Sequence, residues 1–132
     1  MRTVSLIAAG MLGLAMSAEP TKPPASQVVH LDDVTARQKA NGRSYEAFLS
    51  VPSMSLGQYT LAAGAVDGQT PHDRDEVYYV LEGAATFFAD GKRRPIKTGS
   101  VIYVRREVDH RFEKITEDLR LLVVFASEPA SP

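Results

Sequence analysis

The stretch that decides the fold runs from Gly64 to Gly83 and reads GAVDGQTPHDRDEVYYVLEG. A glycine-containing turn leads into a proline, His72 and a cluster of acidic residues. The apolar, β-branched and aromatic run at residues 77–81 is bounded by turn residues and predicts a strand. Because side chains of an extended chain alternate between two faces, His72 and Glu76 share a face if the extended conformation reaches back that far. An imidazole and a carboxylate on one face can form half of a metal site.

The same stretch resembles the first sequence motif of the cupin family, G-x5-H-x-H-x3,4-E-x6-G. Gly64, His72, Glu76 and Gly83 fall in register with that motif, without insertion or deletion. One position differs, because Thr70 stands where the first histidine of the motif would be. Several spacings that agree at once make the resemblance specific.

The second cupin motif, G-x5-P-x-G-x2-H-x3-N, has a degraded counterpart in residues 99–114, GSVIYVRREVDHRFEK. Gly99 and His110 keep their spacing there. The proline, glycine and asparagine of the motif are replaced, in that order, by Arg105, Glu107 and Lys114. The resemblance covers roughly residues 45–126, and the short stretch between the motifs, residues 84–98, suits a compact member of the family.

The pattern from Tyr45 onward predicts many short strands, at residues 45–51, 55–62, 77–81, 84–89, 101–104, 110–112 and 119–126. A Pro52-Ser53 turn separates the first two, Glu82-Gly83 separates the next two, and Asp90-Gly91 is a strong two-residue hairpin signal. Such spacing is typical of an all-β sandwich or barrel. The resemblance narrows this expectation to a small cupin jelly-roll barrel.

The N-terminal part of the predicted domain holds the one convincing helix. Residues 28–31 suit a short first strand, and Asp32 or Asp33 then suits the N-cap of a short helix over residues 34–41. Gly42 follows as a C-terminal glycine. His30 lies far from both motifs, and we interpret it as a surface or packing histidine.

Four segments follow from composition. Residues 1–18 have the short positive region, apolar stretch and small residues of a cleavable signal peptide, which predicts export to the periplasm or beyond. Residues 19–27 read as a proline-rich tether, residues 28–127 as the cupin domain, and residues 128–132 as a disordered tail. The apolar stretch is too short for a comfortable membrane span, so we expect no membrane attachment after cleavage.

Charge and cysteine content exclude several classes of protein. The formal net charge of −1 gives no electrostatic argument for nucleic-acid binding. The chain has no cysteine, which excludes lipoprotein processing, a disulfide framework and a cysteine nucleophile.

The resemblance implies that His110 meets His72 and Glu76 inside the barrel. Two imidazoles and one carboxylate suit a divalent first-row metal ion such as iron, manganese, zinc or nickel. Thr70 leaves three alternatives open: three protein ligands with an extra water, a weaker site, or a site that has lost its metal. Gln69 could supply a carbonyl ligand if the strand bulges there.

Other side chains near the motifs have less specific interpretations. Tyr78 and Val80 share the face of Glu76 and should line the cavity, and Tyr78 could orient a substrate or simply fill the core. Asp73 and Asp75 should point away from the cavity. Together with Arg74 they are interpreted as solvent-exposed residues at the start of the strand. Phe112 shares the face of His110, and Arg105 and Arg111 could bind an anionic substrate or be solvated.

Two classes of function remain open at this point. In the first, the metal serves as a Lewis acid or redox centre in oxygenation, decarboxylation or isomerisation of a small oxygen-bearing molecule. In the second, the barrel binds a sugar or organic acid without metal and without a reaction. By analogy with the family we also expect a homodimer, with residues 45–62 supplying an edge or face.

Overall fold

The computed structural model describes residues 10, 13–15 and 21–127 of the chain. The predicted signal peptide lies almost wholly outside these residues, and the predicted tail at residues 128–132 lies entirely outside them, so both stay predictions. Residues 21–27 of the predicted tether are exposed and form neither helix nor strand. No helix in the described part of the chain is long and apolar enough to cross a membrane.

Within the described residues, one helix precedes an antiparallel sheet. The helix, α1, spans Leu31–Asn41. The strands are β1 (Tyr45–Val51), β2 (Met54–Leu61), β3 (Glu76–Ala89), β4 (Lys92–Lys97), β5 (Val101–Val104) and β6 (His110–Ala126). The predicted all-β architecture with one short N-terminal helix is therefore confirmed.

The two longest strands, β3 and β6, form the spine of the sheet. Its strands follow the order β1-β2-β6-β3-β4, and β5 also pairs with β3. One edge of β3 pairs with β6, and the other edge pairs first with β5 and then with β4. The hairpin predicted at Asp90-Gly91 is confirmed, since both residues have the positive φ angles (51° and 70°) of a two-residue turn.

The predicted break at Glu82-Gly83 is wrong, and so is the predicted gap between residues 112 and 119. Each falls inside one continuous strand that contains an irregularity. In β3 the buried residues have even numbers from 76 to 80 and odd numbers from 85 to 89. In β6 the buried residues have even numbers at 110 and 112 and odd numbers from 115 onward. The changes coincide with positive φ at Gly83 (101°) and Lys114 (47°). A bulge of this kind adds one residue and bends the strand, which keeps the apolar side chains on the inside.

The start of α1 also differs from the prediction. Residues 28–30 form no strand, and the helix begins at Leu31 with His30 as the N-cap residue. The carbonyl of His30 accepts the first backbone hydrogen bonds of the helix. The two aspartates lie in the first turn, where their charge favours the helix dipole without a capping bond. Gly42 ends the helix in a left-handed conformation, as predicted.

Two non-glycine residues with positive φ stand where the second cupin motif has glycine and asparagine. They are Glu107 (φ 63°) and Lys114 (φ 47°), and both are exposed. The left-handed conformation costs an ordinary residue about 1–2 kcal/mol, and glycine and asparagine tolerate it better. The two left-handed positions thus coincide with places where the motif has residues that tolerate this conformation, and this chain has less tolerant residues there.

We expect Lys114→Asn to raise the free energy of unfolding by about 0.5–1 kcal/mol, because asparagine relieves the left-handed strain. Chemical denaturation of the two proteins measures the difference. Lys97→Asn is the matched control, since Lys97 is an exposed strand residue without positive φ, where asparagine should be neutral or slightly destabilising. Equal destabilisation by both substitutions would contradict the assignment of strain to position 114.

Candidate metal centre

The candidate site is formed where the β3–β6 ribbon folds back on itself. Glu76 begins β3 opposite Phe125, and His110 begins β6 opposite Ala89, so the pairing puts them at opposite ends of the ribbon. In a flat sheet the thirteen residue steps from Glu76 to Ala89 would span roughly 40 Å. Instead, Nε2 of His110 lies 2.6 Å from Oε1 of Glu76. The sheet must therefore curl until its two ends meet, and the bulges at Gly83 and Lys114 lie along that curl.

The three predicted metal ligands are brought together. Nε2 of His72 lies 3.8 Å from the same Oε1 of Glu76, and one potential ligand atom from each of His72, Glu76 and His110 lies within 4.8 Å of the other two. Glu76 and His110 are buried, whereas the side chain of His72 is 31% exposed. The cluster is thus closed on one side and accessible past His72 on the other.

The proton on His110 can be assigned from its partner. Its Nδ1 lies 2.7 Å from the carbonyl oxygen of Val108, which can only accept, so Nδ1 carries a proton. Nε2 of the neutral imidazole then turns a lone pair toward Glu76. Neither carboxylate oxygen of Glu76 accepts an aligned hydrogen bond from the described residues, despite the short distance. A proton or a cation between the two groups is needed to relieve the contact between lone pairs.

The electrostatic surroundings favour positive charge at this point. Burial lowers the pKa of His110, but the Glu76 carboxylate, the Val108 carbonyl and the charge of Asp67 outweigh that effect and raise the pKa overall. The buried residues of the described chain include two carboxylates, Glu76 and Asp67, and no lysine or arginine. Among the described residues, the negative charge of the interior is therefore not neutralised by a buried lysine or arginine.

Asp67, which the sequence analysis did not single out, is a fully hydrogen-bonded carboxylate. Its Oδ1 accepts from the hydroxyl of Tyr59 (2.7 Å), and its Oδ2 accepts from the backbone N–H of Phe112 (2.9 Å) and from the side-chain amide of Gln69 (2.5 Å). A carboxylate can only accept, so the bond to Gln69 fixes which end of the amide is the nitrogen. Asp67 lies three residues after the turn glycine Gly64. No feature of its sequence context distinguishes it from an ordinary turn aspartate.

Because Asp67 holds its amide nitrogen, Gln69 turns its carbonyl oxygen into the cluster. Oε1 of Gln69 lies 3.3 Å from Nε2 of His72 and 2.9 Å from the hydroxyl of Tyr78, which donates to it. Thr70, the residue at the position of the missing histidine, is exposed. The alternative in which Gln69 offers a carbonyl oxygen thus has a geometric basis.

Tyr78 lines the cavity beside the cluster, as predicted. Its hydroxyl is 3.2 Å from Nε2 of His110 as well as within reach of Gln69. Burial and the nearby Glu76 carboxylate raise the pKa of Tyr78 well above its usual range, so the hydroxyl keeps its proton. Val80 is fully buried and packs in the core, where the sequence analysis had expected it to line the cavity.

A cavity of about 340 Å³ adjoins the cluster. Its walls carry aromatic and apolar side chains with a few polar groups, namely Tyr45, Tyr59, Gln69, His72, Arg74, Tyr78, Val123 and Phe125. A larger groove of about 480 Å³ lies between α1 and the sheet and contains none of the three cluster residues. The smaller cavity is therefore the one that could hold a molecule against the cluster.

Of the three arginines discussed for the motifs, Arg74 alone lines the cavity. Arg105 is exposed, and Arg111 contacts Glu113 at 2.9 Å and lies over the ring of Phe88, so neither reaches the cavity. Arg74 does line it, although we had interpreted this residue as part of a solvated strand start. A signal was present, because the alternation that pairs His72 with Glu76 also includes position 74.

Comparison with known proteins identifies the family. The sequence model for the Cupin domain matches residues 57–125. An uncharacterized protein of Streptomyces coelicolor is 45% identical over 96 residues, which cover 73% of this chain and 91% of that protein.

Solved structures agree on the fold. An RmlC-like cupin of Methanocaldococcus jannaschii with a double-stranded β-helix superimposes with a TM-score of 0.58 at 19% identity, over 64% of this chain and 80% of that one. The DMSP lyase DddQ of Ruegeria pomeroyi also gives 0.58, at 16% identity, over 67% of this chain and 50% of that one. The predicted jelly-roll fold is confirmed, and the chain belongs to the cupin family.

Proposed function

We propose that this cupin holds a divalent metal ion between His72, Glu76 and His110 and acts on a small oxygen-bearing organic molecule in the adjoining cavity. The observation that carries the proposal is the buried carboxylate of Glu76. It lies 2.6 Å from a histidine nitrogen whose ring is already protonated on its other side, and it accepts no aligned hydrogen bond from the described residues.

The energetic argument concerns unpaired charge. A buried carboxylate without a partner costs several kcal/mol, which is a large part of the stability of a small domain. Asp67 avoids this cost through its hydrogen bonds, whereas Glu76 has two histidines beside it but no aligned donor among the described residues. The two positive charges of a divalent cation beside Glu76 would balance the negative charges of both buried carboxylates, Glu76 and Asp67.

The donor atoms fit the metals expected from the sequence. Two imidazole nitrogens and one carboxylate oxygen suit iron, manganese, zinc or nickel. The orientation of Gln69 supports its carbonyl oxygen as a fourth donor in place of the histidine that Thr70 replaces. The hydrogen bond from Nδ1 of His110 to a backbone carbonyl is the kind of outer contact that fixes a metal-binding histidine.

A metal ion at this position would supply a Lewis-acid or redox centre for oxygenation, decarboxylation or isomerisation. The residues around it have separate tasks. The Tyr78 hydroxyl keeps its proton and donates it to Oε1 of Gln69, which holds that carbonyl oxygen toward the site. Phe125 packs edge-on against His72 at 5.2 Å and keeps water from one side of the ring. That DddQ is a lyase supports an enzyme on this fold, although fold alone does not assign a reaction.

The second candidate function is a metal-free cupin that binds a sugar or organic acid. One observation favours it: the raised pKa of His110 allows an imidazolium to neutralise Glu76 without a metal. The two candidates differ in the species that lies between Nε2 and Oε1, a metal ion or a proton.

We expect the native protein, purified without an affinity tag, to contain a divalent metal and to lose thermal stability on chelation. At a free metal concentration about 100 times the dissociation constant, binding adds about 2.7 kcal/mol to the free energy of unfolding. Elemental analysis and thermal melts measure both effects. Glu76→Gln and His110→Ala should contain little metal and respond little to a chelator, whereas the exposed Asp73→Ala should behave as the native protein does. Equal metal content in all four proteins would contradict the site.

The contribution of Gln69 can be tested separately. We expect Gln69→Ala to weaken metal affinity about 10- to 100-fold, as changes around metal ligands commonly do. Thr70→Ala is the matched control, because Thr70 is the exposed neighbour and should leave affinity unchanged. Competition with a chromophoric chelator gives the dissociation constants. Equal affinities of Gln69→Ala and the native protein would mean that three side chains are the whole protein ligand set.

We also infer that the protein is exported, as residues 1–18 indicate, and that it forms a homodimer. Exposed apolar side chains on the outer face of β3 and β5 support self-association: Tyr79 is 41% exposed, Val101 69% and Tyr103 64%. Tyr79 is the direct cross-strand neighbour of Val101, so these side chains form one patch. This patch is on a different part of the sheet from residues 45–62, for which the sequence analysis expected the interface.

We expect the native protein to be a dimer at micromolar concentration by light scattering and the double variant Val101→Lys/Tyr103→Lys to be a monomer. Charged side chains at a self-complementary apolar contact repel each other across the two-fold axis. Val66→Lys is the control, because Val66 is 91% exposed in a loop away from the patch. A monomeric native protein would contradict the dimer, and a dimeric double variant would move the interface elsewhere.

A further inference from the structure

The cavity beside the cluster is lined by one permanently charged side chain, and its charge is positive. Among its lining residues Arg74 carries a guanidinium, and no aspartate or glutamate is present. The nearest acidic contact of Arg74 is Oδ1 of Asp73 at 3.7 Å, and the side chain of Asp73 is 68% exposed. An ion pair of this length at an exposed carboxylate is worth little. The guanidinium thus remains available to an anion in the cavity.

The position of Arg74 is fixed by an aromatic ring that also contacts the cluster. Its Cζ lies over the ring of Phe125 at 5.0 Å from the centroid, and that centroid lies 5.2 Å from the ring of His72. Arg74 and His72 therefore flank the same ring. Because both residues line the cavity, a molecule bound there can have its anionic end on Arg74 and its other end toward His72.

The remaining walls are aromatic. Tyr45 packs edge-on against Phe125 with 6.4 Å between ring centroids, and Tyr59, its cross-strand partner, lines the cavity beside it. Gly57 makes this arrangement possible, because a Cβ at that position would overlap the ring of Tyr45. Flat aromatic walls favour a flat apolar ligand, since offset or edge-on ring contacts add to the burial of apolar area.

We propose that the cavity takes a small carboxylic acid with a planar, single-ring body, whose carboxylate pairs with Arg74. Arginine suits this task because its planar fork binds a carboxylate through two parallel hydrogen bonds. The opposite end of the molecule then faces His72, Gln69 and Tyr78. The cavity volume of about 340 Å³ admits one ring and is too small for a polymer. The assignment of that opposite end to a metal centre rests on the proposed function, whereas the pairing with Arg74 does not.

Isothermal titration with three acids and their neutral amides tests the proposal: benzoate, 4-hydroxybenzoate and phenylacetate against benzamide, 4-hydroxybenzamide and phenylacetamide. We expect at least one acid to bind the native protein about tenfold or more tightly than its amide, because hydrogen bonds between charged groups are stronger than those of a neutral amide. Arg74→Ala should abolish this preference, and Arg74→Lys should keep part of it. Arg105→Ala is the control, because Arg105 is exposed and outside the cavity lining.

Titrations of zinc-saturated and chelator-treated protein separate this proposal from the metal site. A preference for the acid that depends on Arg74 in both preparations supports the carboxylate subsite, even if zinc fails to bind. Zinc binding without any preference for acid over amide overturns the subsite and leaves the metal site intact. The proposal is also overturned if no acid binds with a dissociation constant below about 10 mM. It is overturned as well if Arg74→Ala keeps the full preference for acid over amide.

Discussion

The structure depends on the folding back of one two-stranded ribbon. Strands β3 and β6 pair along nearly their whole length, yet Glu76 and His110, from opposite ends of that pairing, are in contact. Such a turn of the ribbon needs positions where the chain can bend without exposing its apolar face. The irregularities at Gly83 and Lys114 provide them, because each shifts the inward-facing positions by one residue. At Gly83 the requirement is strict: a Cβ would overlap the carbonyl of Asp118, and φ is 101°.

Two buried carboxylates show how the same chemical group serves two purposes. Asp67 is surrounded by donors from Tyr59, Gln69 and the backbone of Phe112, and it therefore stabilises the loop before β3 and orients Gln69. Glu76 lies among histidines without an aligned donor. A native structure rarely leaves a buried polar group in that state without a functional reason. This contrast supports the proposal that Glu76 is a metal ligand.

Sequence reasoning identified the parts that depend on local spacing. The helix end at Gly42 and the Asp90-Gly91 turn follow from residue types at short distances along the chain, and so does the pairing of His72 with Glu76. That His110 joins these two residues was implied by the resemblance to the cupin family, because spacing along the chain could not show it. The bulges were missed, because glycine at position 83 indicates a strand end as readily as an irregularity within a strand, and Lys114 carries no turn signal at all. Asp67 was missed for another reason: its three hydrogen-bond partners come from β2, β6 and its own loop, and only the closed fold brings them together. The alternation of side chains could have placed Arg74 in the cavity, because it shares a face with His72 and Glu76. Its acidic neighbours Asp73 and Asp75 favoured the interpretation that all three side chains are solvated.

The central claim is that a metal ion, and not a proton, lies between His110 and Glu76. Anomalous X-ray diffraction from crystals of the zinc-saturated protein, collected on both sides of the zinc absorption edge, tests it most directly. The account predicts one strong anomalous peak in coordinating contact with Nε2 of His72, Nε2 of His110 and a carboxylate oxygen of Glu76, with Oε1 of Gln69 facing it. The absence of a peak at this place, with Nε2 of His110 hydrogen-bonded directly to Glu76, would contradict the account and leave the metal-free binding protein.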